Sequence, residues 1–261
     1  MTKRTILDAA WYLAVFAMLQ IGVAAVTGIL MQGHDMTPGV AVTTALATNG
    51  LAIALFAWRK WCPVGGQYIN SHPWPQLAWV VCLALGNSVP LAFMVEETGL
   101  QMPDQLNGLF TGMINHPLGY LAVCLVAPVA EEMVFRGAIL RRLLELTGHR
   151  LRWVAIAVTA LLFGVIHGNM AQGLTAFVMG LVIGWLYVRT RSIVPCVALH
   201  VADNSMSYAV CRLIPGSENM TVRQLYGGDM THVWLAVAFS LMIFGAALYQ
   251  LNMQLGHERQ K

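Results

Sequence analysis

An all-α polytopic transmembrane helix bundle of about eight spans is the fold class that this sequence predicts. Three observations carry that prediction. Of 261 residues, 57% are hydrophobic and only 10% charged, and the mean hydropathy is +0.63; a soluble domain carries about 25% charged residues. The apolar residues fall in runs that reach the roughly 20 residues a bilayer-crossing helix needs. Basic and acidic residues alternate between the loops that join those runs.

Taken in order, the runs are roughly 7–31, 40–58, 75–95, 117–137, 152–168, 171–188, 193–212 and 232–252. The first follows Lys3 and Arg4 and extends from Ile6 to Met31. It is longer than the core of about 7–15 apolar residues in a signal peptide, so it reads as a span and not as a cleaved leader. The fifth and sixth runs are short and are expected to tilt or to cross incompletely. No soluble domain of useful size is left over, so residues 1–261 read as one integral membrane domain.

Loop charge orients the bundle. Lys3 and Arg4, Arg59 and Lys60, Arg141 to Arg152, Arg189 and Arg191, and Arg259 and Lys261 alternate with Asp35 and with Glu96, Glu97 and Asp104. By the positive-inside rule both termini are expected in the cytoplasm; in a bacterium the membrane would be the inner one. The segment from Arg141 to Arg152 reads as a basic amphipathic extension of the fourth span along that surface. The basic residues form no nucleic-acid patch.

The eight tryptophans fall mostly near span ends, where they serve as interfacial anchors. Gly164 and Gly168, and Gly180 and Gly184, repeat at a spacing of four and are expected to let helices pack closely. Five scattered cysteines, an odd number without a C-x-x-C pair, argue against a disulfide framework. They read as small buried hydrophobes.

Against this background three polar clusters stand out at membrane depth, where each ionisable side chain costs roughly 2.5 kcal/mol or more and usually has a function. Glu131, Glu132 and Arg136 lie in the fourth run. Glu132 and Arg136, at i and i+4 with the acid first, are placed for an ion pair. Glu131 projects about 100° away; a carboxylate without a partner in such a setting is suited to proton transfer. Pro128 removes a backbone donor and is expected to free the carbonyl of Cys124, opening the helix beside Glu131. His167 ends the fifth run with Phe163 on the same face, and His200 and Asn204 share one face of the seventh, with Asp203 close to it. Alone, each cluster is readable as a packing or hydrogen-bonding device; together, two carboxylates, two imidazoles and an amide form a candidate hydrolytic site.

The pieces E-E-x-x-x-R, F-x-x-x-H and H-x-x-x-N, in this order on three spans, resemble the motifs of the CPBP family of intramembrane endopeptidases, the CAAX-prenyl-protease-2 and bacteriocin-processing (Abi) group. The approach Ser192-Ile193-Val194-Pro195 to Ala198-Leu199-His200 is similar as well. The resemblance covers about residues 115–212, the expected catalytic core of spans four to seven. It implies hydrolysis of a peptide bond in a membrane-associated peptide or protein. On that resemblance Glu131 activates water, His200 and Asn204 stabilise the oxyanion, His167 helps hold the water with Glu132, and Arg136 fixes Glu132. Phe163 and Asp203 are supporting residues, Asp203 being one that the motif does not require.

The resemblance leaves two chemistries open, a metalloprotease and a metal-free glutamic protease. His167, His200 and a glutamate would make a zinc set with one open position, yet H-E-x-x-H is missing and Asn204 suits hydrogen bonding better than ligation. The cofactor is therefore none or a single zinc ion. Two other functions fit intramembrane Glu and His: a proton- or cation-coupled transporter, against which no inverted repeat is visible, and a catalytically inactive scaffold of the same family. On the predicted topology Glu131 and His200 lie in the cytoplasmic half, and the cavity is expected to open toward the cytoplasm.

Overall fold

The computed structural model describes residues 2–63, 66–148, 150–214 and 216–257. Among them every regular element is helical. Helix α1 (Thr2–Met31) packs against α2 (Pro38–Trp58) and is followed by a short α3 (Gly66–Asn70). Helix α4 (Trp74–Glu97) leads to α5 (Asp104–Asn115). The fourth run is a broken helix: a π turn at Leu121–Val126, α6 (Ala127–Glu132), a second π turn at Met133–Leu140, and α7 (Arg141–Thr147). Then follow α8 (Arg152–Val165), α9 (Met170–Thr190), α10 (Val194–Leu213), the single turn α11 (Val222–Leu225) and α12 (Met230–His257).

Sequence sets several of these boundaries. Thr37 caps α2 by accepting from the amide of Val40, and a proline occupies the first turn of α2, α4 and α10, where its missing N–H costs nothing. Gly168, at φ +70°, makes the left-handed turn that ends α8, and Asn169 then caps α9 through the amide of Gln172.

All eight expected apolar runs are helical. Among the described residues, five helices are long and apolar enough to cross a membrane: α1, α2, α4, α9 and α12. The sixth run is thus longer than expected, since α9 has 21 residues. The fifth is short, because α8 has only 14; at about 1.5 Å per residue it covers about 21 Å. The fourth is interrupted by its π turns, and α10 carries too many polar residues.

The apolar exterior explains what surrounds the bundle. Ile21, Ile29 and Leu30 of α1 and Phe239 and Met242 of α12 are exposed, at between 62% and 76% of their surface. Such faces are stable against lipid. The core instead gathers around the broken helix, with Phe16, Phe56, Phe135, Phe163, Leu83 and Ile183 buried.

Helices α8 and α9 approach backbone to backbone. A Cβ on Gly164 would lie 2.6 Å from the carbonyl oxygen of Gly173, and one on Gly184 would lie 2.7 Å from Ile156 Cγ2. Three of the four singled-out glycines therefore serve packing, and Gly168 serves the turn instead.

Candidate active site

The three polar clusters converge. Arg136 Nη1 donates to Glu132 Oε1 at 2.9 Å, and His200 Nδ1 lies 2.9 Å from the same oxygen. A carboxylate only accepts, so His200 carries its proton on Nδ1 and turns Nε2 toward Glu131, whose Oε2 is 3.7 Å away. Glu132 is wholly buried and Arg136 is 1% exposed. Arg136 also donates from Nη2 to the carbonyl of Gly180 and stacks over the Phe163 ring, 4.6 Å from its centroid.

Phe163 is the hub of this arrangement. Its ring meets His167 edge-on at 5.0 Å and His200 at 5.8 Å, and it packs against Phe135 at 5.0 Å. His167 donates from Nδ1 to the Phe163 carbonyl at 2.7 Å, which leaves its Nε2 free to accept.

Glu131, His167, His200, Asp203 and Asn204 all line one cavity of about 460 Å³. Glu132 does not. It was expected to share a water with His167; it is sealed beneath the site and fixes His200 and Arg136 instead. Asp203 accepts from Ser88 of α4 at 3.4 Å, so it ties α10 to α4.

Asn204 meets the broken helix. In the first π turn the amide of Ala127 bonds to the carbonyl of Ala122, five residues back. In the same register the carbonyl of Val123 would take its proton from residue 128, which is proline. Asn204 Nδ2 donates to that carbonyl at 2.9 Å. The orphan that Asn204 takes therefore belongs to Val123 and not to Cys124, because the π register moves it by one residue.

The rest of the cavity's lining bears on where it opens. Its remaining walls come from the start of α9 (Ala171, Gln172), the end of α10 (Tyr208), the end of α4 (Val95) and α5 (Phe110, Met113). These all lie at the end of the bundle opposite the basic loops. Helix α5 was missed as an element, although Leu106, Leu109, Phe110, Met113 and Ile114 fall at the spacing of one helical face.

Among the described residues, no three His, Cys, Asp or Glu side chains are gathered to hold a metal ion. The zinc set of His167, His200 and a glutamate is therefore not gathered among those residues.

Residues 113–206, which hold all three clusters, match the model of the family described as type II CAAX prenyl endopeptidase Rce1-like. The motif-bearing segment is thus similar to this family, in agreement with the CPBP resemblance of its motifs. Similarity also reaches a Bacillus subtilis (strain 168) protein named "Putative membrane peptidase YdiL", at 29% identity over 89 residues. That alignment covers 34% of this chain and 35% of the relative, so the chain spans about a third of its length. No solved structure matches the chain.

Proposed function

We propose that the protein is an intramembrane endopeptidase that hydrolyses a peptide bond of a membrane-associated peptide or protein. The observation that carries this reading is the meeting of Glu131, His167 and His200 on one cavity, on three segments in the order of the CPBP motifs.

In this mechanism Glu131 takes a proton from a water that attacks the scissile carbonyl carbon. His167 Nε2 accepts from the same water and orients it. In its charged form His200 donates from both nitrogens, Nδ1 to Glu132 and Nε2 toward the developing oxyanion; the second N–H of the Asn204 amide can join it. Glu131 then delivers its proton to the leaving amine, so the water is divided between the new carboxyl and amino termini. Glu132 and Arg136 act beneath the site, holding His200 in one tautomer and one orientation, as a buried carboxylate does for a catalytic imidazole.

The test compares membranes from cells producing the wild type or Glu131→Gln at equal levels. New protein N-termini are mapped by mass spectrometry. Cleaved membrane proteins present with the wild type and missing with the variant are expected. Identical sets of termini would sink the protease reading and favour the transporter, in which Glu131→Gln would abolish ion flux without changing any substrate.

A further inference from the structure

We infer that the cavity is entered from the non-cytoplasmic face of the membrane, and that the substrate is a membrane-anchored polypeptide whose scissile bond reaches Glu131 from that side. This rests on the protease reading for the substrate, but not for the direction of access.

The direction follows from the helix polarities. The broken helix begins, α4 and α10 end, and α2 and α9 start at one end of the bundle. Cavity-lining residues come from those portions: Ala122 and Val123, Val95, Asn204 and Tyr208, Ala45, Ala171 and Gln172. Helix α5 lines the same end with Phe110 and Met113.

Charge says which end this is. Ten Lys and Arg residues stand at the opposite end, in the first turn of α1 and at 59–60, 141–152 and 189–191. The cavity end has Arg212 and Arg223 against Asp35, Glu96, Glu97, Asp104, Glu218 and Asp229. Both arginines are engaged there, Arg212 with Asn115 and Arg223 with Glu96 and Glu97. The positive-inside rule counts Lys and Arg in short loops, and ten against two is a strong bias.

Depth and lining define the substrate further. Glu131 lies ten residues after Leu121, at most about 15 Å along the broken helix from the end where it begins. Met102, Phe110, Met113 and Met179 line the way to it. They suit apolar side chains flanking the scissile bond, as at the outer end of a substrate's own span. A lipidated tail that remains in the cytoplasm would meet the basic end, which contributes none of the loop residues that line the cavity.

The test places single cysteines in the otherwise unchanged full chain and labels intact spheroplasts with a membrane-impermeant maleimide, read against wild type. Gln105→Cys on α5 is expected to label before permeabilisation, and Lys60→Cys only after it. The reverse pattern, or equal labelling of both before lysis, overturns the inference. Should either variant fail to accumulate, C-terminal fusions of the unaltered chain decide: fluorescence from green fluorescent protein supports the orientation, and alkaline phosphatase activity overturns it. The mapped N-termini separate the two readings. Wild-type-dependent cuts confined to cytoplasmic tails would remove this inference and leave the protease. Expected labelling without any wild-type-dependent cut would remove the protease and its substrate and leave the opening.

Discussion

Asn204 donates to the carbonyl of Val123, the acceptor that Pro128 leaves without an amide partner in the π register. One side chain on α10 thus stabilises an opened stretch of backbone eight residues before Glu131. The amide is a positioning group as well as a wall of the cavity.

Asn204→Ala is expected to destabilise the protein by about 1–3 kcal/mol, the range for a buried acceptor left bare. Asn204→Asp should cost at least as much, since a carboxylate would face a carbonyl. Thermal unfolding in detergent measures the loss. Amide exchange should quicken over residues 121–131 and stay unchanged in α12; unchanged exchange near Val123 would mean that the bond does not hold the π turn.

The Glu132–Arg136 pair separates stability from activity. Both members are buried, so Arg136→Ala leaves Glu132 with the His200 N–H but without its arginine counter-charge and is expected to cost about 3–5 kcal/mol, lowering folding yield and activity together. The double variant Glu132→Gln/Arg136→Met removes both charges. It should recover most of the folding yield but not the turnover, because His200 Nδ1 loses its carboxylate partner. Recovery of wild-type turnover would show that His200 does not depend on Glu132.

What the sequence disclosed depended on distance along the chain. The eight helical runs and the Glu132–Arg136 pair were readable because hydropathy and an i, i+4 spacing are local. The union of Glu131 with His200 and His167 was readable from polar residues at membrane depth on three runs and from the motif resemblance, not from any local spacing. The sealing of Glu132 beneath His200, the tie from Ser88 to Asp203, and the link from Asn204 to Val123 join residues 68, 115 and 81 positions apart. No local pattern encodes such links. The π turns were hidden because a register of five leaves the same apolar stripe as a register of four over so few residues. Helix α5, which helps to wall the cavity, was hidden because its apolar face is too short to read as a span.

Metal removal gives a clean prediction. Among the described residues no three His, Cys, Asp or Glu side chains are gathered to hold a metal ion, and a water held by Glu131 and His167 needs none. Elemental mass spectrometry of purified, active protein should find zinc far below one per chain, and a chelator should leave cleavage unchanged. Near-stoichiometric zinc that disappears in His167→Ala/His200→Ala would instead make the two histidines ligands.

The contact between α8 and α9 should couple packing to the site. A methyl on Gly164 would sit 2.6 Å from the Gly173 carbonyl oxygen, a backbone atom that cannot swing aside, so the helices must separate. Gly164→Ala is therefore expected to cost about 1–3 kcal/mol. It should also slow cleavage more than this loss of folded protein explains, because His167 follows three residues later on the same turn. Gly180→Ala should be milder, since its methyl would meet Ala160 Cβ at 3.0 Å, Ala160 Cα at 3.1 Å and Arg136 Nη2 at 3.3 Å, none as close as the 2.6 Å contact at Gly164. Gly108→Ala on α5 is the control: no atom lies within 4 Å of its Cβ position, and alanine favours a helix by up to about 1 kcal/mol. Melting temperatures and turnover of the three variants, measured in one detergent, test the order. Equal behaviour of Gly164→Ala and Gly108→Ala would mean that the close approach of α8 and α9 is not needed to place His167.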